Sequence, residues 1–172
     1  MKTALIACMA AILAGCATTD EPRDQGTSPA LDIATYFDGA VDGWGMVQDR
    51  SGKVLRRFTV RIDGRWDGDR GTLDEHFLFD DGERQRRVWT LVRDGDRFRA
   101  TAGDVVGTGI GVPQGNAFNM RYVLAVPVGG RVWNLDMDDW MWTVDDRTVL
   151  NRTTMSKFGF RVGEVTLALR RR

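Results

Sequence analysis

From about Tyr36 to the C-terminus, apolar and polar residues alternate in short runs punctuated by Gly and Asp, and no long stretch sustains a helical period. Alternation of this kind puts successive side chains on opposite faces of a strand, so the useful test is whether neighbouring runs can pair with their apolar faces together. A Gly-Gly turn at Gly129 and Gly130 would set Val126 opposite Trp133, Leu124 opposite Leu135 and Tyr122 opposite Met137. An Asp-Gly turn at Asp94 and Gly95 would set Leu91 against Phe98 and Trp89 against Ala100. Three-residue loops ending in glycine, Arg50-Ser51-Gly52 and Asp80-Asp81-Gly82, would bring Trp44 opposite Phe58 and Leu73 opposite Trp89. Consecutive hairpins predict an all-β fold. A run of about eight to ten such strands must bury one face and dispose of two edges, and closing into an antiparallel up-and-down barrel does both; a β-sandwich is the alternative. Asn151 to Leu169 would close that barrel against an early strand, and the glycines of GDVVGTGIGVPQGN (Gly103 to Asn116) suit a strand that bends or is closely approached.

The same registers point charges inward. Glu75 falls opposite Arg87 on the face that carries Leu73, Phe77, Trp89 and Leu91, and Arg56 shares a face with Phe58 and Val60. Charges in an apolar interior must pair, or meet water or ligand, because desolvation costs more than one hydrogen bond returns. Two readings follow: a salt bridge between Glu75 and Arg87 that fixes register, or a hollow barrel in which Arg56 or Arg87 receives a ligand's carboxylate or phosphate. In the second, Trp44, Phe58, Phe77, Trp89, Leu124 and Trp140 line the cavity. The stretch DMDDWMW (Asp136 to Trp142) changes alternation phase at Asp138 and Asp139, since Leu135 and Met137 occupy one phase and Trp140 and Trp142 the other. A bulge there would let both apolar sets face inward, with Asp139 at the lip of the cavity. These carboxylates lack the turn glycine and distal bidentate Glu of a calcium loop, so no metal site is expected.

Catalysis is left open, with little in the sequence to support it. His76 is the only histidine and alternates away from Glu75 and Phe77 toward solvent, without a second histidine or a G-x-S-x-G elbow. Paired acids of glycosidase type could come from Glu75 with Asp139 or Glu164. Gly103 to Asn116 lacks the G-x-G-x-x-G spacing of a phosphate loop, and no cofactor is expected.

Length and charge narrow the class. The 172 residues, 42% hydrophobic and 28% charged, fit a single globular domain, and 24 basic residues balance 24 acidic ones. No broad positive field exists to hold a nucleic-acid backbone, which sets that class aside. Both cysteines lie in MKTALIACMAAILAGC, where Lys2 precedes an apolar run from Ala4 to Leu13, the layout of a signal peptide. Leu13-Ala14-Gly15-Cys16 resembles the bacterial lipobox, which implies cleavage before Cys16 and lipidation of its thiol. The expected organisation is therefore a signal peptide over 1–15, lipidated Cys16 with a flexible tether over 16–33, and one β-barrel domain over 34–172. Ala17, in place of Asp, resembles the sorting pattern of outer-membrane lipoproteins, so the domain is expected at the outer membrane facing the periplasm.

As an ordered series, the phrases GWGMVQDRSGKVLRRF, TLDEHFLFDDG, GDVVGTGIGVPQGNAFNMRY, DDWMW and NRTTMSKFGFRVGEVTL resemble an uncharacterised family of bacterial lipoproteins, domain of unknown function 3833. The resemblance covers most of the mature chain and implies a lipocalin-like barrel, with no assigned activity. Three functions are expected in this order: a carrier or sensor that binds a fatty acid or other amphiphile in the barrel, a packed envelope-maintenance protein acting through its outer surface, and a hydrolase of envelope lipid or glycan. The expected partners are the membrane, through the anchor, and an amphiphilic small molecule.

Overall fold

The computed structural model describes residues 29–172. One short helix, α1 (Ile33–Tyr36), is followed by ten strands: β1 (Gly39–Asp49), β2 (Val54–Asp67), β3 (Arg70–Phe79), β4 (Arg84–Asp94), β5 (Arg97–Thr101), β6 (Val105–Gln114), β7 (Ala117–Val128), β8 (Arg131–Thr143), β9 (Thr148–Lys157) and β10 (Phe160–Arg171). Each strand pairs antiparallel with its sequence neighbours, and β10 returns to β1, closing the barrel. The up-and-down barrel expected from the hairpins is the fold, and closure leaves no edge strand to pair with another chain.

Several registers follow the turns read from sequence. Val126 faces Trp133, Leu124 faces Leu135, Tyr122 faces Met137, Leu73 faces Trp89 and Glu75 faces Arg87. The β4–β5 hairpin differs by two residues: Asp94 pairs with Arg97, so the turn is Gly95-Asp96 and Leu91 faces Ala100. A shift of two keeps every side chain on its face. At the β1–β2 hairpin the difference is one residue, which does not.

Gln48 pairs with Val54 as the three-residue loop demands, but a bulge between Val47 and Gln48 moves the rest of the ladder, so Gly45 faces Phe58 and Trp44 faces Thr59. Trp44 is therefore on the outside, 53% exposed, and does not line the cavity. The bulge delivers Gly45 to the inner wall beneath Phe58, where a Cβ would overlap the phenyl ring. Missing side chains on β1 make room for a large one from β2.

The barrel has two unlike ends. One is plugged by the segment that precedes β1: Leu31, Ile33 and Phe37 are buried with Val41, Ile62, Leu73, Leu91, Phe98, Phe118, Val149 and Leu169 in one core. Asp32 caps α1 by accepting from the Thr35 amide at 2.8 Å. The Leu31 amide donates to the Gly115 carbonyl at 3.0 Å, and the hydroxyls of Tyr36 and Thr143 donate to the carbonyls of Arg147 and Pro29 at 3.2 and 2.6 Å. A Cβ on Gly64 would overlap the Phe37 carbonyl oxygen, so the plug sits directly on β2 backbone. Burial of Leu31 and Ile33 moves the start of the domain ahead of residue 34, because these side chains belong to the core and not to a tether. The signal peptide over 1–15 and Cys16 lie outside the described residues.

The barrel cavity as a candidate binding site

Toward the opposite end, where the turns β1–β2, β3–β4, β7–β8 and β9–β10 gather, inward-facing residues such as Val47, Phe77, Phe79, Leu124, Val126, Met155 and Val165 are only partly buried. They line a cavity of about 320 Å³ that reaches down to the plug residues Ile33 and Phe37. That volume lies at the lower end of the range for small-molecule pockets. Apolar side chains make most of its wall. Phe58, Phe77 and Phe79 form one aromatic cluster with centroids 5.6 to 6.3 Å apart, and Trp89 meets Tyr122 edge-on at 5.2 Å.

Polar groups enter this wall at a few positions. Arg87 donates from Nε and Nη2 to the Asp104 carboxylate at 2.8 to 3.0 Å, a two-point clamp to the β5–β6 turn, which lies just past the end of the neighbouring strand β5. Its Nη1 lies 3.8 Å from Glu75, which also accepts from the Trp89 indole at 3.3 Å. Burial pushes the Glu75 carboxyl up to about 7, against the opposing pull of Arg87. The Arg87 guanidinium suffers the same burial but is held above its ordinary value by Asp104 and Glu75. Both readings of this pair from sequence meet here, since the ion pair exists and sits on a cavity wall.

Arg56 lies near the mouth. Its guanidinium stacks over the Phe79 ring at 3.7 Å, and Nη2 donates to Asp81 at 3.0 Å and to Glu83 at 2.8 Å, both on the β3–β4 turn.

On the far wall the DMDDWMW segment behaves differently from the expected bulge. Pairing runs without interruption on both sides of β8, with Arg121 opposite Asp138, Met120 opposite Asp139, and Thr154 and Thr153 opposite the same two aspartates. Alternation therefore continues: Met137, Asp139 and Met141 face inward, while Asp136, Asp138, Trp140 and Trp142 face outward. Trp140 does not line the cavity; it stacks on Trp142 at 5.9 Å on the outer wall. A bulge would have restored Trp140 to the interior, but continuous hydrogen bonding on both neighbours was preferred, and the residue placed inside is a carboxylate. The aspartates thus point to opposite faces, a poor arrangement for one shared cation.

Asp139 is only 7% exposed. It accepts from Asn151, whose amide also donates to the Trp140 carbonyl at 2.9 Å, and from Thr153. Burial pushes its carboxyl up to about 6 despite these donors. Asp139 also acts on Glu75, raising it further, and burial together with both acids keeps the nearby Tyr122 phenol well above its usual range.

Of the residues singled out from the sequence, Arg56, Glu75, Arg87, Asp139, Phe58, Phe77, Trp89 and Leu124 line the cavity, whereas Trp44 and Trp140 lie on the other face of their strands. It missed Tyr122, Asn151, Thr153 and Asp104. Tyr122 could have been found from its pairing with Met137; Asp104 was hidden by the β4–β5 register, because a turn at Asp94-Gly95 sets Arg87 beside Ala102, whereas the observed turn at Gly95-Asp96 brings Asp104 to it. His76 faces outward as expected, with Nε2 3.2 Å from Asp74.

The sequence matches the family described as a protein of unknown function, DUF3833, over residues 10–171. No curated protein matches the chain. Among solved structures, an S-type phycobiliprotein lyase from Guillardia theta superposes with a TM-score of 0.59 at 9% identity, covering 81% of this chain and 90% of that one. A protein of unknown function from the DUF3598 family of Nostoc punctiforme gives 0.60 at 14% identity, covering 84% of this chain and 50% of that one. At such identities the likeness concerns the fold, a lipocalin-like barrel.

Proposed function

This chain belongs to the DUF3833 family of proteins of unknown function, and from that premise we propose that it is a lipocalin-like binding protein that takes one small amphiphile into its barrel. The observation that carries this reading is the half-filled interior: an apolar cavity of about 320 Å³ whose wall bears a few polar groups. A barrel serving only as a scaffold gains nothing from such a void, because every unfilled volume forfeits packing. The hydrolase reading required two inward acids far from any cation, whereas Arg87 stands 3.8 Å from Glu75.

The rim adds to this reading. Val128, Val132 and Trp133 at the β7–β8 tip, with Phe158, Phe160 and Val162 at the β9–β10 tip, form a set of exposed apolar side chains at the open end. Phe158 is 80% and Phe160 76% exposed, and Arg131, Lys157 and Arg161 stand among them. Such a surface favours exchange of the amphiphile at an anionic lipid surface. The lipobox supports attachment of the chain to the bacterial outer membrane through Cys16, with the barrel in the periplasm; radiolabelled palmitate incorporated into the wild type and equally into Cys16→Ala would refute the anchor.

Purification of residues 29–172, followed by native mass spectrometry before and after solvent extraction, tests the binding function. The expected result is a bound amphiphile in a one-to-one complex, or a saturable one-to-one titration of the extracted protein with N-phenyl-1-naphthylamine. No bound molecule and no saturable site would overturn it.

A further inference from the structure

The sequence suggests that the interior arginines receive a ligand's carboxylate or phosphate. The structure shows both of them already engaged. Arg87 spends Nε and Nη2 on Asp104 and presents Nη1 to Glu75, and Arg56 has two carboxylates, Asp81 and Glu83, on a single nitrogen while its face is covered by Phe79. Each guanidinium therefore faces two acids, so an incoming anion would meet a surplus of negative charge at either position.

Arg56 keeps one buried donor, Nε, without a partner, but the groups short of an opposite charge are the acids. Asp139 is buried among Met120, Met137 and Met141, with the neutral donors Asn151 and Thr153 in contact and, among the described residues, no cation within ion-pair distance. Glu75, on the opposite wall, shares its one cation with Asp104 and interacts electrostatically with Asp139 across the cavity. Depth matters as well. Along β3 the inward sequence from plug to mouth is Leu73, Glu75, Phe77, Phe79, and along β8 it is Met141, Asp139, Met137, Leu135, so the acids lie at matching depth beneath the aromatic and aliphatic upper wall. A ligand entering polar end first would bring its head to these carboxyls and leave its apolar body among Phe58, Phe77, Leu124, Val126 and Met155.

Resting on the amphiphile-binding reading, we propose that the head group this site selects is a hydrogen-bond donor, cationic amine or N–H, received by Asp139 and Glu75, and not a carboxylate or phosphate. A donor there satisfies the spare lone pairs of both acids and supplies the positive charge the cavity lacks; an ammonium does both, an alcohol only the first.

The test compares decylamine, decanol and decanoate as displacers of N-phenyl-1-naphthylamine from the extracted wild-type barrel at pH 7.5. Decylamine is expected to bind about tenfold or more tighter than decanoate, with decanol between them. Asp139→Asn should cost decylamine about tenfold while leaving decanol within about threefold, and Glu75→Gln should act in the same direction. Preference of the wild type for decanoate, or an amine preference that survives in the Asp139→Asn, Glu75→Gln double variant, overturns the inference while leaving amphiphile binding standing. Displacement by none of the three overturns the binding function itself. The wild-type comparison needs no variant, so a failure of Asp139→Asn to fold would not block the result.

Discussion

Glu75 and Asp139 set how the protein responds to pH. Both carboxyls are raised by burial, to about 7 and about 6, so between the ordinary carboxylate value and those figures the folded chain holds protons that the unfolded chain has released. Stability contributed by these groups is full only below their ordinary values, 3.8 for Asp139 and 4.5 for Glu75, and falls as pH rises toward about 6 and about 7 respectively. Partly exposed carboxylates such as Asp42 and Asp74, lowered by their hydrogen bonds to Arg172 and Arg86, act the other way and weaken the fold only as pH falls below their unfolded range. Glu75→Gln removes one of the raised groups. Its melting temperature measured at pH 5 and pH 8 should fall less than that of the wild type, by the equivalent of about 2 kcal/mol; an unchanged difference would mean that Glu75 is ionised throughout. The inward direction of Glu75 was legible in the sequence because the Asp80 to Gly82 turn fixes its strand register. The excess of acid over base was not, because Asp104 meets Arg87 only when the β4–β5 turn falls at Gly95-Asp96, two residues off the register that Asp94-Gly95 implies.

Among the strands, the two misplaced tryptophans share a cause. Alternation gives two faces but not which one is inner, and a single inserted residue exchanges them. At β1 a bulge occurred where the turn geometry implied none; at β8 none occurred where the hydrophobic pattern implied one. The decisive information lies in the facing strand. Phe58 needs a glycine opposite it, which Gly45 supplies and Trp44 cannot, and Asp139 finds Asn151 and Thr153 waiting on β9. Gly45→Val should therefore destabilise the barrel by about 2 to 3 kcal/mol in urea denaturation, because the Phe58 ring has nowhere to retreat except into the cavity. Trp44→Ala should change stability by less than about 1 kcal/mol. Equal losses in the two variants would place Trp44 inside after all.

Taken whole, the molecule is a cup: an apolar plug at one end, a hollow half at the other, and polar groups at the boundary between them. The exposed apolar tips belong to the open end, where Lys157 stacks over Phe158 at 4.7 Å and approaches Trp133 at 6.0 Å. Phe158→Ser combined with Phe160→Ser should leave the melting temperature within about 2 °C of the wild type, since neither ring is packed. The same pair should reduce sedimentation with anionic phosphatidylglycerol vesicles by about tenfold; full retention would remove the rim from the exchange of ligand. The sequence by itself determined the all-β class, the succession of hairpins and most inward-facing residues, because turn chemistry and period-two alternation are local and act within one hairpin. Tertiary structure alone decided that the cup is hollow, which tryptophans stand outside it, and that its arginines are already answered by acids. Those properties depend on the register each pair of strands adopts and on how the side chains then fill the closed wall, and a shift of one or two residues in pairing leaves no mark on the alternation itself.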